Sequence, residues 1–472
     1  MKQEPQLSSL PSAELIRKND RNGPRYTSYP TALQFHAGFG PRDHVAAATR
    51  TGAGSSNTPL SLYVHVPFCA SPCFYCACTK VITSRPERAE TYLSRLQQEI
   101  GLQAPLFDKS RIVEQLHFGG GTPTFLSNTQ LGAIFDALHD GFTLSNDACR
   151  EVSIEIDPRT VEPGTMPELA ALGFNRASFG IQDFDPAVQR AVNRIQTPAL
   201  VASLMDAARD AGFGSLSADL IYGLPLQTLH SFERTLDQVI ALRPDRISAY
   251  SYAHMPGRFK PQRQIPAEQL PDAATKLELL LMIIGRLLDA GYLHIGMDHF
   301  ALPADELAQA LRQGSLQRNF QGYSTRSELD LLGLGMSAIS RIGDTYSQNA
   351  RTLKEYYAAL EEGRLAVERG IRLSQDDRVR RDVIASIMCG GELSYADIEM
   401  RHHLDFRRHF SVELRHLAEL ERDGLVELHP DRLRVTPTGR YLLRAIAMPF
   451  DAYLHAQNTM LSGVAPRYSR VI

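Results

Sequence analysis

Six segments of the chain have the composition of β-strands, and each is followed by a segment with helical periodicity. The strand-like segments are apolar, aromatic or β-branched, and they cover 61–66 (SLYVHV), 114–118, 151–156, 176–181, 216–222 and 246–252. Between them, apolar residues recur three or four positions apart. Such alternation predicts a parallel α/β sheet with right-handed crossovers. Six units predict a partial (β/α)6 barrel, short of the closed eight-unit form.

Residues that could bind a ligand follow most of these predicted strands at their carboxyl ends. Each alone is a weak indication, because a glycine triplet is more often a turn and a lone Asp more often a helix cap. In parallel α/β folds, however, these ends meet at one rim, where ligands bind. The residues are the triplet Gly119, Gly120 and Gly121, then Glu155, Asp157, Gln182, Asp183, Asp219, Ala253 and His254.

Four of the six cysteines lie within ten residues directly after the first strand: Cys69, Cys73, Cys76 and Cys78. Structural zinc usually takes two separated ligand pairs, whereas these thiols share one loop and only Ala77 separates the last two. A disulfide-exchange pair of Cys73 and Cys76 would leave Cys69 without a role. An iron–sulfur cluster fits better, because its iron sites lie far enough apart for three thiolates of one loop. Three ligands would leave a fourth iron open to a small chelating molecule.

Length and composition limit the remaining possibilities. A chain of 472 residues predicts two domains, or one large barrel with an appendage. The net charge of −3 excludes a global basic field for nucleic acid. The N-terminus lacks a signal pattern, and charges interrupt the most apolar run, 277–296, which we expect to be a buried helix. These features predict a soluble cytoplasmic protein, and we expect the isolated Cys149 and Cys389 to be core residues.

The two ends of the chain differ from the middle. Residues 1–58 show little periodicity, and we expect an extended arm, with Arg25 to Thr31 (RYTSYPT), lying over the body. Beyond about 370, a helix–hairpin–helix pattern resembles a winged helix, which often binds nucleic acid. Because this region has no concentrated basic stripe, we expect an accessory module that packs over the barrel.

The spacing C-x-x-x-C-x-x-C after the first strand matches the signature of the radical S-adenosylmethionine (SAM) enzymes. Within that superfamily, the chain resembles the family of oxygen-independent coproporphyrinogen III oxidases. The similarity extends from the arm to the last residue. Its motifs are YVHVPF before the loop, Cys78, HFGGGTPT, IEIDPR, GIQDF, Asn193-Arg194, DLIYGLP, GMDHF, NFQGY and the final YSRVI.

The resemblance implies an activity in haem synthesis. Enzymes of this family use a [4Fe–4S] cluster and two SAM molecules to convert two propionates of coproporphyrinogen III into vinyl groups, which gives protoporphyrinogen IX. A 5′-deoxyadenosyl radical from SAM removes a hydrogen from the propionate β-carbon, and CO2 and one electron are then lost. The electron donor is unidentified, with a flavodoxin or a ferredoxin as examples. The composition indicates no binding of nucleic acid or membrane, and nothing in the sequence demands more than a monomer.

The resemblance also assigns site residues. Cys69, Cys73 and Cys76 would ligate the cluster, and Cys78 and Tyr63 would be catalytic. SAM would contact Tyr63, Tyr75, Gly120, Gly121, Thr122, Glu155, Gln182, Arg194, Asp219, Ala253 and Ile339. Arg25, Arg159 or Arg318 could bind the propionates of the substrate. The implied domains are an arm at 1–58, a radical SAM barrel at 59–370 and an accessory domain at 371–472.

One departure and three alternatives remain open. The family often has Tyr before Phe in the cysteine loop, whereas this chain has Phe74 and then Tyr75. A related haem chaperone lacks the fourth cysteine and the tyrosine-rich arm, both of which this chain has. An anaerobic haem-degrading enzyme would open the tetrapyrrole ring instead of forming vinyl groups. A zinc protein with a DNA-binding tail would be colourless and contain zinc.

Overall fold

The structure is a computed structural model that describes residues 10–52, 58–147, 149–326, 329–454, 468 and 470. A large sheet forms the centre. Six of its parallel strands confirm the predicted units and run in the spatial order β9-β8-β7-β6-β4-β1. They are β1 (Leu60–Val66), β4 (Ile112–Gly120), β6 (Glu151–Ile156), β7 (Arg176–Gln182), β8 (Ser215–Tyr222) and β9 (Arg246–Ser251). Short strands β2 (Phe68–Cys69), β3 (Val81–Ile82) and β5 (Thr143–Leu144) lie beside them.

Helices cover the outer face of this sheet and bury apolar side chains against it. Leu131, Ile134, Phe135 and Leu138 of α4 all face the core, as their spacing predicts. The helices are α3 (Glu87–Gln103), α4 (Asn128–Gly141), α5 (Thr165–Ala171), α6 (Pro186–Ala191), α7 (Pro198–Asp210), α8 (Leu229–Leu242) and α9 (Ala273–Asp289). The last covers most of the apolar run. Within the described ranges, no helix combines the length and apolar character needed to cross a bilayer.

Additional strands extend the sheet beyond the six predicted units. On one side β11 (His299–Ala301) pairs antiparallel with β9, and β10 (Leu293–Gly296) pairs with β11. On the other side β14 (Asp330–Leu334) runs parallel to β1, followed by the antiparallel strands β15 (Ile339–Ile342), β16 (Thr345–Asn349) and β17 (Val367–Arg372). Between the two groups lie α10 (Glu306–Gln313) and the hairpin of β12 (Gln317–Asn319) and β13 (Gly322–Ser324), and α11 (Leu353–Glu361) precedes β17.

A buried carboxyl group supports the turn between β14 and β15. Glu99 of α3 accepts hydrogen bonds from the Gly335 amide and the Tyr356 hydroxyl, both at 2.6 Å. The Asn349 side chain donates to its other oxygen, also at 2.6 Å. This network ties the turn that precedes Ile339 to helix α3.

The N-terminal segment is only partly the extended arm that we expected. Helices α1 (Ala13–Asn19) and α2 (Pro41–Gly52) flank an extended stretch. Helix α2 begins at a proline, which suits the first helical position. Its buried His44 bonds to Ser347 and Gln103 at 2.9 and 3.0 Å, so this helix is packed into the body.

The C-terminal region has the winged-helix arrangement that the sequence suggests. Its elements are α12 (Gln375–Ala385), β18 (Glu392–Ser394), α13 (Tyr395–His402), α14 (Phe406–His409), α15 (Ser411–Arg422), β19 (Val426–Leu428), β20 (Arg432–Val435) and α16 (Leu443–Ala447). The strands form an antiparallel sheet in the order β18-β20-β19. Its core includes Cys389, as expected, together with Tyr26 and Tyr29 of the arm. The expectation for Cys149 is wrong, because that residue is exposed in a loop before β6.

Candidate active site

The cysteine loop lies at the carboxyl end of β1 and is fastened at several points. Pairing of β2 with β3 closes its two ends. The side chain of Asn193, just after α6, donates to Ser71 Oγ at 3.1 Å and to the Pro72 carbonyl at 2.7 Å. The loop is therefore held by protein groups on both sides of the thiols.

Hydrogen-bond donors and positive charges surround two of the thiols. Thr122 Oγ1 donates to Sγ of Cys69 at 3.4 Å. Nη2 of Arg159 and Nη1 of Arg194 lie 3.3 and 3.5 Å from Sγ of Cys73. Donors and cations of this kind favour thiolates, which are the ligands that an iron–sulfur cluster requires. At Cys69 burial outweighs the hydrogen bond from Thr122 and raises the pKa of the thiol to about 11.

All four loop cysteines are free thiols. A hydrogen bond from Cys78 lowers the pKa of Cys76 to about 5, and the Lys80 ammonium acts in the same direction. Across the described part of the chain, no three His, Cys, Asp or Glu side chains form a group suited to one metal ion. Thiolates on one loop, beside hydrogen-bond donors and cations, are suitable ligands for an iron–sulfur cluster.

Asp157 organises the two arginines beside Cys73. Its carboxylate lies 2.7 Å from Nη2 of Arg159 and 3.0 Å from Nη1 of Arg194. Burial opposes ionisation, but the hydrogen bond from Arg159 and the charges of both arginines lower the pKa of Asp157. Two guanidiniums share one carboxylate, so a net positive charge remains for an anionic group.

The glycine stretch after β4 lies too close to its neighbours for side chains. A Cβ on Gly121 would lie 2.6 Å from the Pro67 carbonyl oxygen. Gly120 has a φ of +117°, and a Cβ there would lie 2.6 Å from the His65 ring. The Gly120 amide donates to Glu155 at 3.2 Å. Glycine thus allows the backbone to approach both the cysteine loop and an exposed carboxylate.

Glu155 lies among polar side chains that face the barrel interior. Nε2 of His117 lies 3.2 Å from Oε1 of Glu155, and its Nδ1 lies 2.5 Å from Ser153 Oγ. The His117 ring stacks on Tyr63 with centroids 5.8 Å apart. The Glu155 side chain is 43% exposed, so its carboxylate is accessible to a ligand.

Asp219 is the most perturbed of the predicted carboxylates. Burial raises the pKa of Asp219 to about 6, and the charge of Glu155 acts in the same direction, although Ser178 donates to Asp219 at 2.8 Å. Carboxyl groups perturbed in this way are concentrated at functional sites.

Three more predicted residues lie where neighbouring loops meet. Gln182 has a left-handed φ of +67° at a bulge between β7 and β8; such strain often marks a functional site. Gln262 donates to the carbonyls of Tyr75 at 2.9 Å and Ala253 at 3.2 Å. Together these two bonds from Gln262 connect the cysteine loop to the segment that follows β9.

Tyr63 connects β1 to the end of the cysteine loop. Its hydroxyl lies 3.0 Å from Nδ1 of His65, and Nε2 of His65 lies 3.1 Å from the Thr79 carbonyl. The carbonyl can only accept, so Nε2 carries the proton and Tyr63 donates to Nδ1. Burial lowers the pKa of His65 to about 4, which keeps the ring neutral. Because Thr79 directly follows Cys78, the bond between His65 and Thr79 holds Cys78 on the Tyr63 side of the site.

The structure brings most of the predicted residues to one rim. Ile339 lies further out, where its backbone packs against Gly333 of β14, the register partner of Tyr63. Individual roles for His65, His117 and Gln262 are missing from the sequence prediction. Successive residues of a strand point to opposite faces, so Tyr63 and His65 of β1 point to the same face. This spacing is the signal from which a role for His65 could have been predicted.

Comparisons with known proteins agree with this geometry. The family described as "Radical SAM superfamily" matches residues 63–239, and "HemN C-terminal domain" matches 373–442. The Oxygen-independent coproporphyrinogen III oxidase of Pseudomonas aeruginosa is 51% identical over 98% of each chain, and that of Escherichia coli is 48% identical over 97% of this chain and 98% of the relative. The solved structure described as coproporphyrinogen III oxidase (HemN) from Escherichia coli, a radical SAM enzyme, superposes with a TM-score of 0.89. The two sequences are 47% identical, and the superposition covers 94% of this chain and 99% of the Escherichia coli chain.

Proposed function

The chain belongs to the family of oxygen-independent coproporphyrinogen III oxidases, radical SAM enzymes of haem biosynthesis, and from this premise we propose how its own residues act. The substrate is coproporphyrinogen III. Two of its propionate side chains each lose one hydrogen atom to the 5′-deoxyadenosyl radical, then CO2, and then one electron to an electron acceptor. Each becomes a vinyl group, which gives protoporphyrinogen IX. The carrying observation is the geometry of the cysteine loop, in which Thr122 donates to Cys69 and two guanidiniums lie beside Cys73, as suits the ligands of an anionic cluster.

Cys69, Cys73 and Cys76 hold the [4Fe–4S] cluster. When bound, the cluster and SAM supply a 5′-deoxyadenosyl radical that removes a hydrogen atom from the β-carbon of a propionate. Thr122 and the arginines at Cys73 stabilise the negative charge of the thiolates and of the cluster. Two propionates react, each requiring one radical, so two SAM molecules are used.

The rim residues bind and orient SAM. The backbone of Gly120, Gly121 and Thr122 allows close approach of the ligand. Glu155 and Asp219 accept hydrogen bonds from ribose hydroxyls or from the methionine amino group. Arg194 provides positive charge for the methionine carboxylate. Gln182, Tyr75, Ala253, Tyr63 and Ile339 complete the contact surface.

Tyr63 and Cys78 act nearest to the chemistry. The bond to neutral His65 fixes the Tyr63 hydroxyl, and stacking on His117 fixes the Tyr63 ring. Cys78 lies outside the set of cluster ligands and is exposed, so its thiol can contact the reacting side chain. The apolar strand residues around the site limit the access of water, which protects a radical from side reactions.

The wider organisation follows from the same proposal. Residues 1–58 form an arm on the barrel, 59–370 the catalytic barrel and 371–472 the accessory domain. The enzyme works as a cytoplasmic monomer and receives electrons from a small carrier protein such as a flavodoxin or a ferredoxin. It binds neither nucleic acid nor membrane.

A turnover assay tests the function. The protein is purified without oxygen, and iron and sulfide are restored. SAM, a reductant, coproporphyrinogen III and a one-electron acceptor for the electron released on decarboxylation are then supplied. We expect protoporphyrinogen IX, CO2 and 5′-deoxyadenosine as products. Cleavage of SAM without vinyl formation would reject the oxidase while retaining radical chemistry, and an opened tetrapyrrole would indicate the degrading enzyme.

A further inference from the structure

Two arginines from distant parts of the chain meet at the edge of the barrel. Arg25 lies in the extended stretch of the N-terminal arm, and Arg318 lies on β12. Nε of Arg318 donates to the Arg25 carbonyl at 3.4 Å. The Arg25 guanidinium lies over the Tyr250 ring at 5.5 Å, and that of Arg318 lies over Tyr323 at 4.7 Å. The two side chains thus share one aromatic-walled space.

His299 of β11 completes this space. Its ring packs edge-on against Tyr323 and Tyr250, with centroids 5.2 and 5.9 Å apart. Burial, and then the charges of Arg318 and Arg25, lower the pKa of His299 far below its usual value. The imidazole is therefore neutral.

Positive charge in this space exceeds negative charge. Arg25 makes an ion pair with Asp298, whereas no ion pair to Arg318 occurs within the described ranges. Nη1 of Arg318 and Nδ1 of His299 are buried atoms without a hydrogen-bond partner. Unpaired buried donors are rare in folded proteins, and each calls for an explanation. An anion between the two nitrogens would supply the missing acceptor.

The sheet places this space close to the proposed SAM site. Asp219 of β8 is the register partner of Ser248 on β9, and Ser248 is the partner of His299 on β11. The backbones of Asp219 and His299 are therefore two strand spacings apart, a distance of about 10 Å. The Arg25 side chain is 32% exposed, so a ligand can reach it.

Arg159, the third arginine considered from the sequence, is already occupied by protein partners. Arg159 donates to both oxygens of Asp157 and to the Asn193 carbonyl, and it lies beside Cys73. Its guanidinium serves the cysteine loop.

We propose that Arg25, Arg318 and His299 form a carboxylate pocket that holds one propionate of the tetrapyrrole while a different propionate reacts. The identity of the carboxylate rests on the proposed function. Arg318 binds it through a charge-assisted hydrogen bond, and His299 donates from Nδ1 in the corresponding tautomer. Arg25 adds charge while remaining paired with Asp298. Because the arm supplies Arg25, the arm contributes directly to substrate binding.

A binding experiment tests the pocket without turnover. The anaerobic holoenzyme, without reductant, is titrated with coproporphyrin III and with its tetraamide, which has the same shape but no carboxylates; fluorescence reports binding. We expect wild type to bind the acid at least tenfold more tightly than the amide. Equal affinities of the wild-type protein for the acid and the amide would overturn the proposal. This comparison does not depend on whether any variant folds.

Variants locate the effect. Arg318→Gln should lose at least tenfold in affinity for the acid and nothing for the amide, with Arg318→Lys intermediate. Arg312→Gln, on an exposed position of α10, is the matched control and should bind both probes as wild type does. An equal loss for acid and amide in Arg318→Gln would indicate a merely structural role and overturn the proposal, as would no loss. A wild type that discriminates the probes but forms no protoporphyrinogen would reject the proposed function and leave the pocket standing.

Discussion

Nη1 of Arg194 lies 3.0 Å from the Asp157 carboxylate, and the two side chains are only 7% and 10% exposed. Asp157→Asn preserves the shape but leaves Arg194 and Arg159 without their counter-charge. Loss of one member of a buried ion pair costs about 3 to 5 kcal/mol. We expect the free energy of unfolding of the cluster-free protein to fall by that amount, as measured by urea denaturation.

The control for Asp157→Asn is Asp206→Asn. Asp206 pairs with Arg209 at 3.1 Å, but its side chain is 71% exposed. Such surface pairs contribute less than about 1 kcal/mol. Similar losses in the two variants would contradict the structural importance of the buried pair.

Replacement of single cysteines should distinguish the three proposed cluster ligands from Cys78. We expect Cys69→Ala, Cys73→Ala and Cys76→Ala each to abolish the brown cluster absorbance after reconstitution, because each removes one of three thiolates. Cys78→Ala should retain it, and so should Cys149→Ala at an exposed position outside the site. Iron content and the visible spectrum provide the measurement. An intact cluster in any of the first three variants would refute the ligand assignment.

A methyl group at Gly121 should displace the backbone between β4 and the cysteine loop. The added Cβ would lie 2.6 Å from the Pro67 carbonyl oxygen, a backbone atom that cannot rotate away. We expect Gly121→Ala to weaken SAM binding at least tenfold, as measured by equilibrium dialysis of the reconstituted protein.

Gly285→Ala provides the comparison for Gly121→Ala. Gly285 lies in α9, and a Cβ there meets nothing within 4 Å. Because alanine favours the helical conformation, we expect this variant to gain up to about 1 kcal/mol in stability and to bind SAM normally. Unchanged SAM binding in both variants would disprove the close-approach argument.

Glu99 should make stability depend on pH. Burial raises the pKa of Glu99 to about 7 from 4.5. A carboxyl group with a raised pKa binds its proton more tightly in the folded state, so stability is greatest at low pH and is lost as the pH rises through this window. Between pH 5.5 and pH 8 the loss is about 2 kcal/mol.

Glu99→Gln removes the titrating group and should abolish that share of the pH dependence. The measurement is the free energy of unfolding of the cluster-free protein at the two pH values. Glu90→Gln, at an exposed position of the same helix, should retain the wild-type difference. If wild type and Glu99→Gln show equal pH dependence, the buried carboxyl group is not the cause.

The sequence predicts those parts of the fold whose side-chain pattern is strong. Long apolar strands and amphipathic helices such as α4 follow directly from periodicity. Strands β14 to β17 are four to six residues long. They contain glycine and polar residues and are stabilised by pairing with other segments. A pattern in one segment carries no information about such pairing.

The sequence predicts which residues form the candidate site but not how their side chains interact. Strand ends and the spacing of three cysteines indicate where ligands bind. The sharing of Asp157 between two arginines, and the bond between Tyr63 and His65, depend on side-chain geometry across loops. The choice of Arg318 rather than Arg159 for the substrate also required the bonds of Arg159 with Asp157 to be seen.

The anchorage of the cysteine loop has a consequence for maintenance of the enzyme. The bonds from Asn193 to Ser71 and Pro72, and from Gln262 to Tyr75, connect protein groups and need no iron. The loop therefore keeps its attachment points if the cluster is lost. We therefore expect a lost cluster to be rebuilt in place by renewed delivery of iron and sulfide, without new synthesis of the polypeptide.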